Sequence, residues 1–192
     1  MDTSFLDQAI VFAVQAHAGT PRRGKDFPYI VHPLEAMSIT ATMTGDQELL
    51  AAAVLHDVVE DTDYTVEDLE KKFGPRVAAL VAGESDSLYE NQSEAASWHI
   101  RKQEAIDRIK AQSREAKMVP LGDKLSNMRA IYRDYHELGD KLWQRFHVTD
   151  EAEHAWHYRG LAASLAPLAD TDAYKEFVDL MEKVFGPDAG KR

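Results

Sequence analysis

The sequence predicts an all-α fold, a single-domain helical bundle of about eight to ten helices. Three observations predict it. Apolar residues recur at the 3.6-residue spacing of a buried helix face in segment after segment. No segment combines two-residue alternation with strand-type composition, and no internal repeat of solenoid length is present. The 192 residues suffice for one domain that buries its own core, with 44% hydrophobic and 29% charged residues.

The elements follow in order. Residues 4–17 place Leu6, Ala9, Ile10, Ala13, Ala16 and His17 on one helical face, and Gly19 stops the helix. The next stretch, AGTPRRGKDFPYI, carries Gly19, Pro21, Gly24 and Pro28 and reads as a long ordered loop. His32 precedes Pro33, which places His32 at the entrance of a helix running to about Met43. Thr44 and Gln47 have capping-box spacing, with Thr44 as cap, opening a helix through LLAAAVLHDVVED. Another helix begins at Thr65 and ends at Gly74, and Pro75 starts the next. Residues 83–97 are acidic and aperiodic and read as a loop or mobile insertion, with helices resuming near Trp98. A helix over 117–135 puts Leu121, Leu125, Met128 and Ile131 on one face with Pro120 in its first turn, and a final pair covers 150–166 and 171–185.

Charge narrows the function. The chain has 22 Lys+Arg against 33 Asp+Glu, a net charge of −11, which excludes a broad surface for nucleic acid or anionic membrane. The acidic N-terminus does not suit a signal peptide and no apolar run reaches the ~20 residues that span a bilayer, so a cytoplasmic protein is expected. With no Cys, any metal must be held by His, Asp and Glu.

The stretch VLHDVVEDT sets four ionisable side chains, His56, Asp57, Glu60 and Asp61, into an otherwise apolar helix. On a continuous helix His56 stacks with Glu60 and Asp57 with Asp61. Buried without partners, each would cost several kcal/mol, roughly, so they are exposed, paired or bound to metal. A solvated helix end is the alternative. His32 and Asp123 supply a second imidazole and a second carboxylate in apolar settings, although each alone also suits an N-cap or a satisfied polar contact. Together His32, His56, Asp57 and Asp123 suit Mn²⁺, Fe²⁺ or Zn²⁺ with coordination positions left open, an arrangement associated with hydrolysis. Arg22, Arg23 and Lys25 concentrate positive charge in one loop of an acidic protein, as a phosphorylated ligand requires.

The segments RRGKDFPYIVHP, LHDVVEDT and LGDKLSN, in this order, resemble the hydrolase domain of the RelA/SpoT alarmone enzymes, a branch of the HD phosphohydrolase superfamily. The resemblance runs over about residues 1–165, and the chain length fits a stand-alone small alarmone hydrolase. It implies Mn²⁺ at His32, His56, Asp57 and Asp123, and Glu60 and Asp61 as the catalytic acid pair. It further implies Arg23 stacked on guanine, Asn127 at the ribose and Tyr158 closing the substrate pocket, while Lys25 is expected to bring local charge for a diphosphate from the same loop. The reaction implied is removal of the 3′-diphosphate of guanosine tetra- or pentaphosphate, giving GDP or GTP and pyrophosphate. A related phosphohydrolase acting on another nucleotide, such as the 2′-phosphate of NADPH, and a silent nucleotide-binding module are the alternatives. The chain departs from the family pattern at AGESDSLYENQ and at LGDKL, where the family usually has LADKL. His17, His154, His157 and Trp156 read as packing residues, Arg22 as a solubilising cation, and Lys124 and Arg129 as solvated charges outside the site.

Overall fold

The computed structural model describes residues 2–85 and 93–187. Its α-helices are α1 (Ser4–Ala16), α2 (Val31–Thr40), α3 (Gln47–Leu55), α4 (Val58–Asp61), α5 (Val66–Phe73), α6 (Pro75–Ala82), α7 (Glu94–Ala111), α8 (Met118–Leu138), α9 (Glu151–Leu165) and α10 (Asp172–Phe185). Two 3-10 helices, Gly139–Arg145 and Ala166–Leu168, flank α9. Among the described residues there is no β-strand, only an isolated antiparallel bridge between Pro21 and Pro28. The all-α expectation therefore holds.

The chain divides into two compact units, Met1–Ser85 with Ser113–Ser126, and Asp86–Gln112 with Asn127–Arg192. In the first, α3 is the central helix: Leu49 through Leu55 are all buried, and α1, α2 and α6 pack around it. Such a helix, apolar on every side, is stable only when covered on every side. The first turns of α8 add Leu121 and Leu125, both fully buried. Between them Gly122 lets α8 approach α2 closely, since a Cβ there would lie 2.4 Å from Thr40 Oγ1 and 2.6 Å from the Ala36 carbonyl oxygen. The departure from the LADKL pattern is thus matched by backbone proximity.

In the second unit α9 packs against α7 and α10. Ile106, Ile109, Leu161, Leu165 and Phe177 form its interior. Buried Ser164 donates to the Ile106 carbonyl at 3.1 Å. His154 and His157 are both buried there: His154 Nε2 donates to the Val148 carbonyl at 2.7 Å, and His157 meets the Trp98 ring edge-on at 5.8 Å. Arg129 pairs with Glu176 through two contacts of 2.7 Å.

Three local expectations require correction. The cap of α3 is Asp46, whose carboxylate accepts from Glu48 N at 2.9 Å, while Thr44 Oγ1 accepts from Asp46 N and so closes the preceding turn. Asp46 has the extended backbone that aims a cap side chain at the open amides of the first turn. The helix expected through residue 61 breaks after Leu55 and restarts at Val58 as α4. Finally, α7 begins at Glu94 rather than near Trp98, because Ser93 Oγ caps it by accepting from Ala96 N at 3.2 Å. Of the loop expected over 83–97, residues 86–92 lie outside the described residues and 94–97 are helical. By contrast, α5 starts where expected, at Thr65, which forms a reciprocal capping box with Asp68.

Candidate metal centre and active site

The break between α3 and α4 presents His56 and Asp57. Asp57 occupies the bridge region of backbone space (φ −94°, ψ −2°), which redirects the chain between two residues that a continuous helix would turn about 100° apart. His32, in the first turn of α2, and Asp123, on α8, complete a group of four in the first unit. His32 Nε2 lies 3.1 Å from Asp123 Oδ1 and 3.5 Å from Asp57 Oδ2, and His56 Nε2 lies 2.8 Å from Asp57 Oδ2 and 3.5 Å from Asp123 Oδ1. One ligand atom from each of His32, His56 and Asp57 falls within 4.8 Å of the other two. His32, His56 and Asp123 are buried, and Asp57 is partly so.

Each imidazole is committed at its other nitrogen. His56 Nδ1 is 2.8 Å from the Ala53 carbonyl, which can only accept, so Nδ1 carries a hydrogen. His32 Nδ1 is 2.8 Å from Ser126 Oγ, and that hydroxyl donates to Glu35 Oε2 at 2.8 Å. Both Nε2 atoms therefore face the two carboxylates. His56 Nε2 is buried and makes no aligned hydrogen bond despite its 2.8 Å approach to Asp57. Two imidazole nitrogens and two carboxylates converge on shared space, with one of those nitrogens, His56 Nε2, left without a hydrogen-bond partner, an arrangement that suits the ligands of a divalent cation. The donor set thus fits a metal ion.

The electrostatics agree. Burial opposes charge on His56, yet Asp57 and Asp123 override it and hold the imidazole well above its ordinary range. Burial likewise works against ionised Asp57, but His56 holds its carboxyl below the usual range. For Asp123 burial is outweighed first by Lys124 and then by His56, and its carboxyl also lies well below the usual value. Negative potential focused at this depth attracts any small cation. Lys124, expected to be a solvated charge, instead contacts Asp123 directly and is half-buried.

Tyr29 is the residue that sequence reasoning missed. Its hydroxyl donates to Asp57 Oδ2 at 2.5 Å, and burial, then the Asp57 charge, push the phenol far above its ordinary value, so it remains a donor. The available signals were its place three residues before His32 in an ordered loop and its inclusion in the segment RRGKDFPYIVHP. That loop is held by Tyr29 N donating to the Thr20 carbonyl at 2.8 Å and Arg22 N donating to the Phe27 carbonyl at 3.0 Å, with Gly24 at φ +69° making the turn. The Arg22 guanidinium lies 5.1 Å from the Tyr29 ring centroid, so Arg22 is more than a solubilising cation. On the other side His17 stands 5.0 Å from the same ring, buried as expected, with neither ring nitrogen hydrogen-bonded among the described residues.

Glu60 and Asp61 lie on α4, exposed at the surface. Partial desolvation and then the Asp57 carboxylate raise the pKa of Asp61, with Tyr29 opposing. Arg23 is exposed on the loop and Lys25 is half-buried. The structure assigns Asn127 and Tyr158 to the second unit. Asn127 follows Ser126 on α8, and the buried Tyr158 ring packs on Phe185 at 5.7 Å and Phe177 at 6.2 Å.

An HD-domain family model matches residues 9–147. The chain is 40% identical over 129 residues to the guanosine-3′,5′-bis(diphosphate) 3′-pyrophosphohydrolase of Vibrio cholerae, covering 66% of this chain and 18% of that protein. It is 37% identical over 136 residues to the Danio rerio guanosine-3′,5′-bis(diphosphate) 3′-pyrophosphohydrolase MESH1, covering 68% of this chain and 71% of that protein. A solved structure of a metazoan ortholog of SpoT, described as hydrolysing ppGpp and playing a role in starvation responses, has a TM-score of 0.72 at 24% identity. That likeness covers 97% of this chain and 99% of the solved one, and it establishes the fold. The chain spans 18% of the length of the bacterial relatives.

Proposed function

We propose that this chain, which belongs to the HD-domain family and to its SpoT-type hydrolase branch, is a Mn²⁺-dependent pyrophosphohydrolase. Its substrates would be guanosine tetra- and pentaphosphate, cut at the 3′-diphosphate to give GDP or GTP and pyrophosphate. The observation that carries the reading is the convergence of two Nε2 atoms and two carboxylates on shared space with both Nδ1 atoms already engaged. The relatives named for this reaction support the choice of substrate.

His32, His56, Asp57 and Asp123 would hold the metal. When bound, the ion supplies positive charge to a phosphoryl oxygen and to an attacking water. Glu60 and Asp61, within one turn of Asp57, orient that water and manage its protons. The raised pKa of Asp61 suits a carboxyl that exchanges a proton during turnover. Tyr29 fixes the Asp57 carboxylate through its hydroxyl. Arg23 offers a planar guanidinium to the guanine, and Lys25 adds charge for the phosphates. The family resemblance gives Asn127 the ribose and Tyr158 the closure of the pocket.

The HD-domain match takes in segments of both compact units, which supports reading residues 1–192 as one HD-type domain. No described helix is long and apolar enough to cross a membrane. We place the protein in the cytoplasm, acting on a small free nucleotide and not on nucleic acid.

The test is incubation of Mn²⁺-loaded protein with guanosine tetraphosphate, guanosine pentaphosphate and NADPH, with products resolved by ion exchange. Pyrophosphate and GDP from the tetraphosphate are expected. Release of phosphate from NADPH with no pyrophosphate from either guanosine compound would overturn the substrate assignment.

A further inference from the structure

We infer that Glu35 and Ser126 form a relay that selects which nitrogen of His32 faces the cation, making both of them positioning residues for metal binding. The inference rests on reading His32, His56, Asp57 and Asp123 as a metal centre.

His32 and Glu35 are three residues apart on α2 and so share a face, and Ser126 lies three residues beyond Asp123 on α8. One helix thus presents a candidate ligand and the group that orients another. Ser126 is buried and has a single hydrogen, which it donates to Glu35 Oε2 at 2.8 Å. Only a lone pair remains for His32 Nδ1, also 2.8 Å away, so that nitrogen must donate. The Nε2 lone pair is left facing Asp123 Oδ1 at 3.1 Å and Asp57 Oδ2 at 3.5 Å.

The comparison with His56 shows why three groups are used. At His56 the acceptor is the Ala53 carbonyl, which has no hydrogen to give and fixes the tautomer unaided. A serine hydroxyl either donates or accepts, and alone it would permit both tautomers of His32. Glu35 removes the choice by taking the hydroxyl hydrogen. Without Glu35, Ser126 can donate to Nδ1, and the ring hydrogen then moves to Nε2 and points at the space the metal needs.

Contacts behind a metal-binding histidine are typically worth about 10–100-fold in metal affinity. Ser126→Ala and Glu35→Ala are therefore expected to bind Mn²⁺ about 10–100-fold more weakly than the unaltered full-length protein, measured by competition with a chelating dye. The thermal midpoint of the metal-free protein should stay close to that of the parent in the Glu35→Ala variant. Ser164→Ala removes a comparably buried serine hydroxyl that donates to Ile106 in the second unit, and its Mn²⁺ affinity should be unchanged. In Zn²⁺-loaded parent protein, ¹⁵N NMR of the His32 ring should find the hydrogen on Nδ1.

A folded Ser126→Ala or Glu35→Ala protein that binds Mn²⁺ within twofold of the parent overturns the relay and leaves the metal centre standing. A parent protein with no Mn²⁺ binding at all overturns both. Should Ser126→Ala fail to fold, Glu35→Ala decides the matter alone, because Glu35 is only half-buried.

Discussion

At the scale of single residues, His56 and Asp57 sit among buried groups whereas Glu60 and Asp61, within one helical turn of them, stand at the surface. Binding and turnover should therefore separate by mutation. Glu60→Gln is expected to keep Mn²⁺ affinity within twofold while lowering kcat by about 100- to 10,000-fold, the range for loss of a positioned acid or base. A loss of Mn²⁺ affinity as large as that of His56→Gln would instead make Glu60 a ligand. The candidate ligands were legible in the sequence because charges in apolar surroundings demand an explanation. Tyr29 was not, since an aromatic in a loop reads as packing until its hydroxyl is seen against Asp57. Nor can two adjacent arginines reveal which of them lies over a ring. Only the backbone of the turn decides that it is Arg22.

Among the elements, the close approach of α8 to α2 is the most demanding contact near the site. Gly122→Ala would drive a methyl against Thr40 Oγ1 and against the Ala36 carbonyl, and backbone cannot swing aside as a side-chain tip can. We expect a loss of about 1–3 kcal/mol, the usual cost of overpacking, seen as a lower urea midpoint. Mn²⁺ binding should weaken as well, because Asp123 is the next residue. A variant as stable as the parent would show that the two helices separate freely. Helix existence was legible from periodicity, and the start of α5 from Thr65 ahead of an apolar-periodic run ending at Gly74. The break after Leu55 was not, because residues 49–61 contain neither Gly nor Pro to mark an interruption. The early start of α7 turns on one cap residue inside a polar stretch, where periodicity gives no signal.

At the scale of the whole molecule, stability should depend on pH through buried histidines. Burial lowers the pKa of His154, although its bond to the Val148 carbonyl opposes the shift. A group with a depressed folded-state pKa contributes stability that is complete above its unfolded value, about 6.5 for histidine, and that drains away as pH falls toward the folded value. The stability advantage of the parent over His154→Phe should accordingly narrow as the solution is acidified below about pH 6.5, measured by urea unfolding at each pH. An advantage that widens on acidification would reverse the assignment. The all-α class was legible at this scale. The division into two compact units was not, because α8 runs through the boundary at Ser126 and Asn127 as an unbroken helix, and periodicity registers no change there.

The altered backbone course at Asp57 is local, with helix on either side of His56 and Asp57. Side chains adjacent in sequence point apart on a regular coil, so on the proposed metal-centre reading, substitutions that make residues 54–59 better helix formers would strengthen the scaffold while turning His56 and Asp57 away from each other. Robustness and reactivity compete there, and thermal selection acting on this protein should find its gains elsewhere.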